Sequence, residues 1–218
     1  MKEPHQLVPA DLKEGALTRE EDYADMTTTT AYLPRFQLCA ANSNACIDGK
    51  IGIGRYGLVK DDEITDLGEE VDVLVINWRS KAVDVGGDAP INVFDPKSDL
   101  FIDIKARSGV KDSGCMYGPE FLIWIPSVSS FALYHMNSKT ARREAKKMPP
   151  FIGCAATLRI KLIDPPGVKY KWHGPVLGPC SAPMDAPPED ELRKQYAIFN
   201  DPPAPELEPV DEGEGRER

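Results

Sequence analysis

A chain of 218 residues, 41% of them hydrophobic, can bury one sizeable core, which suits a single domain with extensions better than two domains. Its formal net charge of −9 excludes a uniformly basic surface but not a local one. Residues 1–30 hold three Lys/Arg against seven Asp/Glu and residues 183–218 hold four against eleven, which leaves 19 basic and 17 acidic residues between them.

Acidic ends beside a locally basic body can compete with a polyanion for one face. No apolar run reaches membrane-spanning length, and the polar N-terminus lacks a hydrophobic signal segment. The five cysteines (Cys39, Cys46, Cys115, Cys154, Cys180) are odd in number and form no CxxC pair. Reduced thiols in a cytoplasmic protein follow as the expectation. Three scattered histidines give little basis for a zinc site, and no metal or cofactor is expected.

Residues 1–31 lack apolar periodicity and read as a flexible acidic arm, with room for a short helix near Asp11–Tyr23. The body, 32–182, opens with a strand at Arg35–Ala40 and a turn-rich connection at Asn42–Lys50. Gly52, Gly54 and Gly57 have GxGxxG spacing. A dinucleotide fingerprint needs a strand before these glycines and a helix after them. Here they lie in a strand-like run followed by acidic loop sequence (DDEITDLGEE), so a curved strand is expected.

Val71–Trp78 is the clearest strand, rich in β-branched residues, with Trp78, Arg79 and Lys81 at its end. A shorter strand pair broken by GGDAP follows within Lys81–Phe94, then a helix at Ser98–Ser108 capped by Ser98 with a Leu100, Phe101 and Ile104 stripe. Gly109–Pro119 reads as a loop. Its Cys115 has no base placed beside it, so a small buried side chain is the better reading than a nucleophile.

Phe121–His173 concentrates the positive charge, with nine Lys/Arg against Glu144 and Asp164. Phe121–Pro126 and Ser130–Met136 form a hairpin that puts Phe131, Leu133 and His135 on one face and Ala132, Tyr134 and Met136 on the other. His135 is thus a packed strand residue, whereas His173 sits among cations. Ser138 caps a helix of about three turns that ends before Pro149. Ala141, Ala145 and Met148 make its apolar stripe; Lys139, Arg142 and Lys146 lie along another face.

Ala155–Ile163 alternates, with Leu158, Ile160 and Leu162 opposite Arg159 and Lys161. Beyond the turn Asp164–Gly167, Val168, Tyr170 and Trp172 oppose Lys169, Lys171 and His173. Alternation favours the core for Tyr170 and Trp172, while a stacking role would need them exposed. Residues 183–218 read as a Pro- and acid-rich segment with one helix, Glu189–Phe199, and a disordered tail.

The order strand, strand, helix, strand, strand, preceded by a glycine-bearing strand, resembles the oligonucleotide/oligosaccharide-binding (OB) barrel, in which a helix plugs the barrel between its third and fourth strands. The fold expected is therefore mainly β, an OB-like β-barrel with a few short helices. With its acidic C-terminal segment, the chain resembles the single-stranded DNA-binding proteins of tailed phages and bacteria. That resemblance implies nonspecific binding in DNA replication or recombination, and an acidic tail that screens the groove and recruits partner proteins. The end Arg216-Glu217-Arg218 departs from the aromatic or apolar terminus of such tails. KDSGCMYGPEF and SKTARREA also look like segments of phage proteins.

Such binding needs cations for phosphates and aromatic faces for bases. Candidates for the first are Arg79, Lys139, Arg142, Arg143, Lys146, Arg159, Lys161 and Lys171; for the second, Trp78, Trp124, Tyr134 and Trp172. Strand parity forbids exposing all four aromatics together. Single-stranded DNA is the expected partner, no membrane is expected, and self-association stays open. A virion structural or assembly protein is the alternative. An enzyme ranks last, because no GxSxG or Walker sequence and no recognisable carboxylate pair is present, although scattered acids could still converge on a nuclease metal.

Overall fold

The computed structural model describes residues 33–200 except 42, 62, 88 and 181. The expectations for the arm at 1–31, its boundary with the body and the segment after Asn200 fall outside the described residues.

β1 (Arg35–Cys39) leads through a one-turn helix, α1 (Asn44–Ile47), to β2 (Arg55–Lys60) and β3 (Glu63–Gly68), which form an antiparallel meander. β4 (Glu70–Asp84) is the longest strand. It pairs with β6 (Cys115–Ile125) along one side, and on the other with β8 (Cys154–Ile163) at its start and β5 (Ile91–Val93) at its end. β6 turns back into β7 (Ser130–His135), and β8 into β9 (Trp172–Pro179). Nine strands make one sheet in the order β3-β2-β1-β7-β6-β4-β8-β9, with β5 beside β4.

The sheet curls until its ends approach each other. The Tyr56 hydroxyl on β2 donates to the Arg159 carbonyl on β8 at 3.2 Å, and a Cβ on Gly54 would lie 2.7 Å from the His173 ring on β9. The path β4-β6-β7, then helix α3 (Lys139–Ala145), then β8-β9 has the element order of the OB barrel, with the helix between its third and fourth strands. The β1–β3 meander is extra and joins by a short parallel pairing of β1 with β7.

Alternation sorts the core. Val71, Val73 and Val75 of β4 point to the concave side, where they meet Phe36, Tyr56, Ile123, Tyr134 and Ala156. Ala141, Ala145 and Met148 of the α3 segment close that side. Leu74 and Ile76 point to the convex side with Leu122, Trp124 and Phe131. Helix α4 (Glu189–Asn200) covers them with Leu192, Tyr196 and Phe199. A bulge between Val75 and Asn77 leaves Ile76 and Asn77 both facing α4, so Trp78 and Ser80 return to the concave side. Beyond the barrel, the ends of β4 and β6 form a ribbon on which α2 (Asp99–Arg107) packs through Phe101 and Ile104.

Several expectations need correction. Glu63–Gly68, expected as acidic loop, is strand β3: Asp61 at φ 48° makes the tight turn, and Asp66 is held outward by Arg55 at 2.7 Å. Cys115–Pro119 belongs to β6, because the long second half of β4 supplies its pairing partner. Only Gly57 lies within β2; Gly54, at φ +73°, sits in the preceding turn, and no helix follows. α3 spans seven residues, two turns rather than three. Leu100 does not join the buried stripe of α2. β9 begins only at Trp172, leaving Tyr170 outside the strand and 71% exposed. The C-terminal helix expected at Glu189–Phe199 packs its apolar stripe on the sheet and completes the convex core.

Candidate nucleic-acid interface

Three local arrangements build a groove at the end of the barrel. The first is α3, started by the Ser138 hydroxyl, which accepts from the Ala141 N–H at 3.1 Å. Burying Ala141, Ala145 and Met148 leaves Lys139, Arg142, Arg143 and Lys146 at i, i+3, i+4 and i+7 on another face. The second is α2, capped by Ser98 and anchored by Phe101, which brings Lys105 to the opposite wall. The third is the floor, made of Trp78 and Ser80 from β4 with Pro119 and Phe121 from β6. The open groove has a volume of about 570 Å³.

Among the described residues, five cations (Lys105, Lys139, Arg142, Arg143 and Lys146) line this groove, and no Asp or Glu does. Arg142 is fixed: its guanidinium lies 4.2 Å from the Tyr117 ring centre and donates to the carbonyls of Tyr117 and Asn137. Lys105 reaches within 5.6 Å of the same ring. Lys139, Arg143 and Lys146 have no carboxylate partner among the described residues, so their charges remain available to an outside anion. Cations of one sign gathered in a cleft with apolar walls focus the field and raise the local anion concentration. Trp78 stands among them with 45% of its surface exposed, and offers its indole to a flat ligand.

Of the twelve residues that the sequence suggested, Trp78, Lys139, Arg142, Arg143 and Lys146 converge here. Trp124 and Tyr134 are corrected to core residues, 8% and 3% exposed. Trp124 lies against Phe131 under α4, and Tyr134 packs edge-on to Phe36 inside the barrel. Neither presents a face to a base. Arg79 is also a structural residue: the bulge turns it to the convex side, where Glu120 receives it at 2.7 Å. Its guanidinium is held between Phe94 and Phe199, at 3.8 and 4.3 Å from the ring centres, and donates to the Phe199 carbonyl.

Arg159 and Lys171 are exposed but neutralised, by Glu70 at 2.7 Å and Asp164 at 2.6 Å. The Glu70 carboxyl is held below its ordinary range by its hydrogen bond from Arg159. Lys161 and Trp172 lie on the other flank of α3. The sequence reading missed Lys105 and Tyr117. The only trace of Lys105 was its position four residues after the buried Phe101, one turn along the same side of the helix.

Cys115 is buried against Ala82, Phe101 and Ile104. Burial, then the neighbouring Lys81 ammonium, push the His135 imidazole down to about 4. Among the described residues no cluster of three His, Cys, Asp or Glu could hold a metal, and no helix is long and apolar enough to cross a membrane. No family model, curated protein or solved structure matches the chain.

Proposed function

We propose that this protein binds single-stranded nucleic acid, DNA by the resemblance of its element order, in the groove between α2 and α3 and without sequence preference. One observation carries the reading. In a chain of net charge −9, five cations and, among the described residues, no carboxylate surround a half-exposed indole. Phosphates would follow the row Lys139, Arg143, Lys146, which spans about 10 Å by helical rise. That is the reach of about three phosphates at a stacked spacing of about 3.4 Å. A base would lie against Trp78, a contact that tolerates any sequence because every base has a π-face. Ser80 is the one uncharged hydroxyl besides Tyr117 along the lining, so base edges meet few neutral hydrogen-bonding groups there.

The acidic C-terminal segment would modulate this binding. It continues from Asn200, whose side chain accepts from the Asn77 amide at 2.9 Å on the convex side of the sheet, one residue before Trp78 in β4. In this reading residues 201–218, with seven acids and two arginines, screen the cations and offer a docking point to replication or recombination proteins in the cytoplasm.

The test is a titration with a short oligothymidine, following tryptophan fluorescence and electrophoretic mobility. Quenching is expected, and Trp78→Phe should remove most of it while leaving the fold intact. No quenching and no mobility shift, even after removal of residues 201–218, would refute the proposal. Self-association without nucleic acid would then favour a role in assembly.

A further inference from the structure

Helix α3 has a second cleft on its other flank, of about 690 Å³, where Thr140, Arg143 and Lys147 face Lys161 on β8. Arg143 lines both clefts and stands on the ridge between them. Two carboxylates also line the second cleft, and both are occupied. Glu144 accepts from the Leu177 N–H at 2.8 Å and pairs with Lys147 at 2.8 Å; Asp164 pairs with Lys171 at 2.6 Å. Arg143 and Lys161 have no ion pair among the described residues. Trp172 adjoins the cleft, with its indole N–H donating to the Thr140 hydroxyl at 3.0 Å and 39% of its surface exposed. Each flank of α3 therefore has an accessible indole and unpaired cations, joined by one shared arginine.

We propose that a bound strand crosses α3 at Arg143 and continues into this second cleft, with a phosphate on Lys161 and a base against Trp172. This rests on the reading of the first groove and extends it from a short contact to a continuous track. A polyanion settles where cations lack internal partners, and Arg143 and Lys161 are such cations on consecutive rims. Helix α3 is about 10–12 Å across with its side chains, so only a strand of several nucleotides can touch both flanks.

The experiment compares oligothymidines of about 4 and about 12 nucleotides, near the lower and upper parts of the usual range for one OB fold. Fluorescence anisotropy is read at several salt concentrations for the full chain, Lys161→Glu and Lys60→Glu. Lys60 is exposed on β2 and lines neither cleft, so it controls for overall charge. Lys161→Glu should weaken the longer oligomer about five- to tenfold and make its log–log salt slope shallower by about 0.7, the value of one phosphate contact on a single strand. The shorter oligomer should stay within about twofold, and Lys60→Glu should leave both lengths alone. Equal loss at both lengths, loss with Lys60→Glu, or no loss with Lys161→Glu would overturn the extended track. If the short oligomer still binds through Trp78, only this extension falls. If the unaltered chain binds neither length, the groove reading fails as well.

Discussion

Salt dependence tests the groove most directly, because its size follows from counting. Raising monovalent salt from about 50 to about 200 mM returns counterions to every phosphate that a cation had neutralised, and each such contact on a single strand contributes about −0.7 to the slope of log K against log salt. Lys105, Lys139, Arg143 and Lys146 are free to move onto phosphates, whereas Arg142 is held on Tyr117. Four contacts predict a slope of about −2.8, and hence a loss of about 50-fold over that range. Anisotropy of a labelled oligothymidine measures it. The double variant Lys139→Gln/Lys146→Gln should be shallower by about 1.4, with unchanged thermal unfolding, since both side chains are exposed. Binding that survives with a slope near zero, or a double variant with the parental slope, would place the interaction elsewhere.

Phe199→Ala should cost about 3–5 kcal/mol in urea unfolding, as buried aromatic truncations do, because the ring is buried on the sheet and lies against Arg79; a change below about 1 kcal/mol would mean that α4 is not docked in solution. Deleting residues 201–218 removes seven acids and two bases and should tighten oligothymidine binding several-fold at low salt; unchanged affinity would count against screening by the tail. His135 titrates near 4 in the folded chain against about 6.5 unfolded. The unfolded chain therefore binds the extra proton in between, and the His135 contribution, complete above about pH 6.5, falls by up to about 3 kcal/mol as the pH drops to 4. Urea midpoints of the parent and His135→Asn across pH 4–7 should show this acid decline only in the parent.

The sequence showed the local elements better than the meeting of distant ones. Ser98 and Ser138 announced two helices because an N-cap is a short-range signal, and the hairpin faces from Phe121 to Met136 followed from parity alone. Strand β3 stayed hidden because its acids on exposed positions read as loop, while only Ile64 and Leu67 hinted at a half-buried face. The role of Arg79 was misread because one extra residue upstream reversed its direction, and no periodicity rule reveals a bulge in advance. Trp124 looked like a platform until α4, more than 60 residues further along, was seen to cover it. Lys105 and Lys146 belong to one groove only because the β4–β6 ribbon carries α2 towards α3.

The bulge at Ile76 acts as a phase shift in a strand that otherwise counts by twos. Remove that residue and everything downstream in β4 changes sides. Trp78 would turn to the face that α4 covers, while Arg79 and Lys81 would leave Glu120 alone beneath Phe199 and turn into the groove. One inserted residue thus decides which half of an alternating Trp-Arg-Ser-Lys run meets solvent at the groove and which half holds the C-terminal helix. A deletion here would act less like the loss of a side chain than like a frameshift, with the same residues displayed to opposite sides.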